Sequence, residues 1–110
     1  MSGLSGQRAW LLQRLTAVLM VLYVVYVGQH FLLCPPTDFA AWQAWWRSGF
    51  MALSSTLFLL ALILHAWVGG RDIILDYVHP LGVRVAMLCG LWAFLIFCAL
   101  WALRILLVNA

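Results

Sequence analysis

Residues 50–80 read FMALSSTLFLLALILHAWVGGRDIILDYVHP, and this stretch decides the fold. From 50 to 70 there is no Asp, Glu, Lys or Arg, and the only ionisable side chain is His65. About 20 apolar residues in a helix are enough to cross the hydrocarbon of a bilayer. Residues 50–70 are therefore expected to span the membrane. Gly69-Gly70 is a helix-stop signal, so the span is expected to end there. Residues 71–79 form the most polar part of the chain and read as a connection. Pro80 suits the first turn of a following helix, where its missing N–H would have no partner in any case.

Working outward, two more apolar runs have the length of a span. One covers about 81–108 and is long enough to tilt or to extend past the membrane. The other covers about 15–33 and stops at Cys34-Pro35-Pro36, where two prolines prevent the helix from continuing. Thr37-Asp38 then offers N-caps for a short helix over 39–47. Trp42, Trp45 and Trp46 make that piece aromatic on several sides, which suits the headgroup layer. The expected fold is an all-α integral membrane domain over 1–110. It has three transmembrane helices and a short interfacial helix between the first and the second.

Composition agrees. Of 110 residues, 67% are hydrophobic and 8% are charged. A soluble domain carries roughly 25% charged residues, because its surface faces water. Three spans and short connections use up the length, so a soluble catalytic domain is not expected. The net charge of +3 comes from arginines that sit singly at the ends of apolar runs, which is no pattern for nucleic acid. Arg8, Arg14, Arg71 and Arg84 fall on one side of the membrane, against Arg47 and Arg104 on the other. The positive-inside rule then puts the N-terminus and the 71–80 connection in the cytoplasm and the C-terminus in the periplasm.

Cys34, Cys89 and Cys98 have no CxxC or CxxCH spacing, which gives no support to zinc or covalently attached haem. The first apolar run is too long for a usual signal peptide. The N-terminal segment also lacks a long Arg- and Ser-rich transit stretch. A bacterial inner-membrane protein is the expectation.

His65 is the first candidate for chemistry. It lies six positions before Arg71, about 9 Å below the cytoplasmic end of its span. An ionisable group within a span usually faces a partner, a cavity or a cofactor. Two readings are open: a neutral imidazole hydrogen-bonded to another helix, or an axial ligand to a haem lying between helices. His30, the other histidine in a span, lies about 24 Å from the same surface, so the two differ in depth by roughly 15 Å. His79 belongs to the surface connection. A bis-histidine haem on His65 therefore needs its second ligand from another protein. Haem also brings two propionates. Arg14 and Arg71, at the cytoplasmic ends of the first two spans, suit them; headgroup snorkelling is the ordinary alternative.

The polar connection suggests a second role. A quinone carbonyl needs a hydrogen-bond donor, and its reduction needs protons. Tyr77 can donate through its phenol, and Asp76 beside it can hold or relay a proton. A polar turn with a tyrosine at the aromatic belt is the plain alternative. Asp72, seven residues after His65, shares its face if the helix continues, and could orient Arg71.

These residues resemble a known family. The run His65-Ala66-Trp67-Val68-Gly69, then Asp76-Tyr77-Val78-His79-Pro80 and Arg84, is similar to the cytochrome b anchor subunit of succinate dehydrogenase. Arg14-x-Thr16-Ala17 and Leu22-Tyr23-x-x-Tyr26 in the first span agree as well. The resemblance covers essentially the whole chain apart from the segment before Arg14. It implies that His65 is an axial ligand of haem b, with the second histidine on the larger anchor subunit. It further implies Arg14 near the haem propionates, and Tyr77 with Asp76 at the ubiquinone head. The implied partners include a flavoprotein and an iron–sulfur protein, which carry FAD and iron–sulfur clusters and oxidise succinate. Arg71 and Asp72 rest on geometry alone. The competing readings are an anchor of fumarate reductase and a cofactor-free structural or transport subunit. Transport is disfavoured because the acids Asp38, Asp72 and Asp76 all fall outside the expected spans.

Overall fold

The computed structural model describes residues 6–108. Four helices follow one another: α1 (Gly6–Leu33), α2 (Phe39–Arg47), α3 (Gly49–Tyr77) and α4 (Leu81–Val108). Helices α1, α3 and α4 are each long and apolar enough to cross a membrane. The short α2 lies between the first and second of them, as expected.

The three long helices form a row. α3 packs against α1 on one side and α4 on the other, while among the described residues the backbones of α1 and α4 do not approach each other. Lipid tails are as apolar as leucine, so burial gives no drive for such helices to associate. Close packing and interhelical hydrogen bonds hold them instead, the latter averaging about 0.6 kcal/mol each. Bonds of this kind between α1 and α3 include Thr16 Oγ1 to His65 Nδ1 at 3.1 Å and Tyr23 Oη to Ser55 Oγ at 2.7 Å. The Tyr23 ring also stacks on Phe58 at 4.4 Å. Between α3 and α4, Trp67 meets Trp92 at 4.8 Å, and Leu91 closes over Gly70.

The turn into α2 follows its local chemistry. α1 stops just before Pro35-Pro36, and Asp38 caps α2, its carboxylate accepting from the Ala41 N–H at 2.8 Å. Of the two candidate caps, Asp38 is the one used. Trp45 then lies flat on His30 of α1, with centroids 4.1 Å apart, and edge-on to Phe31. Ser48 makes the bend into α3, donating its hydroxyl to the Trp45 carbonyl at 2.7 Å.

Two boundaries differ from those expected. α3 does not stop at Gly69-Gly70; it runs two further turns to Tyr77. The glycines serve packing. Gly70 admits Leu91, and a Cβ on Gly69 would stand 3.0 Å from the Gln13 amide nitrogen. Residues 71–77 are therefore helical, and the connection shrinks to 78–80. α1 likewise begins upstream of the apolar run. Gln7, Arg8, Gln13 and Arg14 are good helix formers, so the helix outlasts the hydrophobic pattern.

Candidate functional site

His65 is half-buried on the α1-facing side of α3, its ring held against a single hydroxyl. That hydroxyl belongs to Thr16, which is 3% exposed and sits mid-helix because its Oγ1 bonds back to the carbonyls of Leu12 at 2.8 Å and Gln13 at 3.0 Å. Among the described residues the other ring nitrogen, Nε2, has no hydrogen-bond partner.

The imidazole lines an open groove of about 720 Å³ between α1 and the C-terminal part of α3. Arg14, Arg71, Asp72, Gln13 and Trp10 share its walls. The volume falls within the roughly 300–1,000 Å³ of small-molecule and cofactor sites. Residues 57 positions apart in the chain, Arg14 and Arg71, thus meet His65 in one place.

The two arginines are held differently. Arg14 is exposed, with its guanidinium 5.6 Å from the Trp10 ring centroid one turn earlier. Arg71 is only 8% exposed and donates from Nε at 3.2 Å and from a terminal nitrogen at 3.0 Å to Asp72 Oδ1. Asp72 thus orients Arg71, as its position beside it suggested. The Asp72 side chain is half-exposed, so the ion pair has water or headgroups on one side.

Tyr77 and Asp76 lie elsewhere. They occupy the last turn of α3, about 18 Å along the axis from His65, and both are exposed, Tyr77 to 78%. Among the described residues the Tyr77 phenol makes no hydrogen bond. What fixes this helix end is Arg84 of α4, which donates from Nε to the Val78 carbonyl at 2.9 Å and from a terminal nitrogen to the Leu75 carbonyl at 3.2 Å. The last carbonyls of a helix have no intrahelical partner, and a guanidinium satisfies them with a charge that complements the helix dipole. Sequence reasoning noted Arg84 as part of a motif and missed this role. It also missed Gln13, which lies across Gly69 with its Oε1 buried and, among the described residues, unpartnered. A polar residue one position before Arg14 was the available signal.

The other two histidines stand apart from the groove. His65 is level with Thr16, and His30 is fourteen residues further along α1, hence about 21 Å away, stacked on Trp45. His79 is exposed in the 78–80 connection. Among the described residues no group of three or more His, Cys, Asp or Glu is placed to hold a metal ion.

Known proteins extend this picture. A family model described as succinate dehydrogenase/fumarate reductase transmembrane subunit matches residues 5–103. The chain is also 30% identical over 101 residues to the succinate dehydrogenase hydrophobic membrane anchor subunit of Coxiella burnetii, covering 92% of this chain and 88% of that protein. With three membrane-spanning helices in a row and a sequence matched along almost its whole length, this multi-pass chain belongs to the succinate dehydrogenase/fumarate reductase transmembrane subunit family.

Proposed function

We propose that this chain is the smaller membrane anchor of a succinate:quinone oxidoreductase, respiratory complex II. In this role it supplies one axial ligand of a haem b through His65 and part of a ubiquinone site through Tyr77 and Asp76. The observation that carries the reading is the convergence of His65, Arg14 and Arg71 on one open groove between α1 and α3.

The donor set fits the group. An imidazole nitrogen without a partner can give its lone pair to iron, and two guanidiniums at the groove suit a pair of carboxylates, since arginine presents a planar fork to such groups. Haem b, when bound, supplies a one-electron redox centre within the apolar layer. His65 would hold the group through its free nitrogen and Arg14 and Arg71 would neutralise its acidic edge, with Asp72 holding Arg71 in place. With His30 and His79 out of reach, a second histidine would have to come from another chain, which the family resemblance makes the larger hydrophobic anchor subunit, and that chain would cover the groove.

At the end of α3, Tyr77 is free to donate a hydrogen bond to a quinone carbonyl, and Asp76 next to it to hold or pass on a proton. Their exposure suits a site shared with the iron–sulfur subunit, which receives electrons from the flavoprotein subunit. FAD and iron–sulfur clusters belong to those partners. The chain sits in a bacterial cytoplasmic membrane, with the N-terminus and the α3–α4 connection in the cytoplasm and the C-terminus in the periplasm. The family includes fumarate reductases as well; the Coxiella burnetii relative favours the direction of succinate oxidation.

The test is succinate-to-quinone reductase activity in a gentle-detergent pull-down of the tagged chain. Activity should co-purify with it. A pull-down that retains stable partner proteins without that activity would reject the reading and favour a structural subunit.

A further inference from the structure

We propose that Thr16 is a positioning residue that sets which nitrogen of His65 faces the groove. The inference rests on the reading of His65 as an axial ligand and deepens it.

A threonine hydroxyl has one proton to give and two lone pairs to receive with. Around Thr16 Oγ1 stand three groups: the Leu12 carbonyl at 2.8 Å, the Gln13 carbonyl at 3.0 Å and His65 Nδ1 at 3.1 Å. The carbonyls only accept. If the hydroxyl gave its proton to Nδ1, two carbonyl oxygens would face a hydroxyl oxygen at contact distance with no proton between them. If it gives the proton to the carbonyls, to the nearer one or shared between the two, a lone pair is left for the imidazole, and Nδ1 donates into it when Nδ1 carries the hydrogen. The neutral ring then has its lone pair on Nε2, the nitrogen without a partner among the described residues.

The effect is local to α1 and α3 and needs no other chain. Thr16 is 3% exposed, so water does not compete for the bond. The bond fixes the plane of the ring as well as the tautomer. Outer hydrogen bonds of this kind are general for ligating histidines, and losing one typically costs 10–100-fold in metal affinity. Here a neutral hydroxyl fills the place often taken by a carboxylate or a backbone carbonyl. It orients the ring without adding negative charge next to it.

The experiment compares Thr16→Val, Thr16→Ser and His65→Ala in the purified assembled complex. Two readouts are taken: the rate of haem loss to an excess of apomyoglobin, and the low-spin ferric haem signal in electron paramagnetic resonance. Valine matches threonine in shape and lacks the hydroxyl. Thr16→Val should lose haem about 10–100-fold faster, with a shifted or broadened resonance, and Thr16→Ser should stay near the wild type. Should the valine variant not assemble, Thr16→Ala against Thr16→Ser makes the same comparison between two small side chains. Wild-type behaviour in the valine or alanine variant, with haem lost in His65→Ala, would overturn the role of Thr16 alone. Equal loss in the valine and serine variants would overturn it too, since shape and not the hydroxyl would then be responsible. An unchanged haem signal in His65→Ala would instead remove the ligand reading on which the inference rests.

Discussion

Gly70 of α3 touches Leu91 of α4 so closely that a Cβ on the glycine would stand 2.8 Å from Leu91 Cδ2 and 3.3 Å from Cδ1. The obstacle is the end of a flexible side chain, so an alanine there forces Leu91 to move aside, whereas a valine forces the helices apart. Gly70→Ala should cost about 1 kcal/mol and Gly70→Val nearer 3 kcal/mol, the usual range for overpacking. Thermal unfolding of the detergent-solubilised complex measures both. Adding Leu91→Ala should recover much of the loss, and a double variant no more stable than Gly70→Val alone would place the strain elsewhere.

His65→Ala removes the one histidine in the groove. The chain should still insert, because none of its three spans depends on a single imidazole for hydrophobicity. The haem absorption of the complex should weaken or vanish. His79→Ala, by contrast, should leave the spectrum unchanged, since that residue lies in the 78–80 connection.

Tyr77→Phe deletes a hydroxyl that, among the described residues, bonds to nothing in this chain, so the fold has nothing to lose by it. On the proposed quinone role, the loss of a hydrogen bond of about 1.4 kcal/mol should lower quinone reductase turnover roughly tenfold. Succinate oxidation by an artificial acceptor should hold near its normal rate. An equal fall in the two assays would mean damaged assembly.

Arg84→Gln takes away the charge that binds the carbonyls of Leu75 and Val78. Hydrogen bonds from charged donors contribute about 1.5–3 kcal/mol, so the last turn of α3 should fray. Quinone turnover should drop while the haem spectrum stays the same, because His65 lies about 18 Å back along the helix. Faster amide exchange confined to residues 74–78 would report the fraying directly.

Much of this architecture is legible in the sequence because lipid imposes simple rules. Three apolar runs, a double proline and Asp38 before a tryptophan-rich piece lead to four helices in the right order. The errors come from signals with two meanings. Gly69-Gly70 reads as a stop, yet glycine also lets a neighbouring helix approach, and only the partners Leu91 and Gln13 tell which applies. The charges of Arg71 and Asp72 suggested a loop, but they satisfy each other and let the helix continue. His65, Arg14 and Arg71 stood out as residue types, but with α3 running on to Tyr77 the histidine lies about 18 Å from that helix end instead of the expected 9 Å, and that the three share one groove depends on the rotation of α1 against α3. Thr16 shows the same limit. Its hydroxyl looks like an ordinary mid-helix threonine until the ring of His65 is placed beside it.

Because α1 and α4 do not pack on each other among the described residues, the row has two broad faces and little interior. Met51 and Val68 are the largest side chains that the described residues fully bury. A copy left without partners would therefore leave Arg14, Asp72 and the half-buried His65 along an uncovered groove. Chaperones and proteases triage unstable protein in cells, so the cellular lifetime of this chain should lengthen when that groove is covered. Its abundance should then gauge how completely it is assembled.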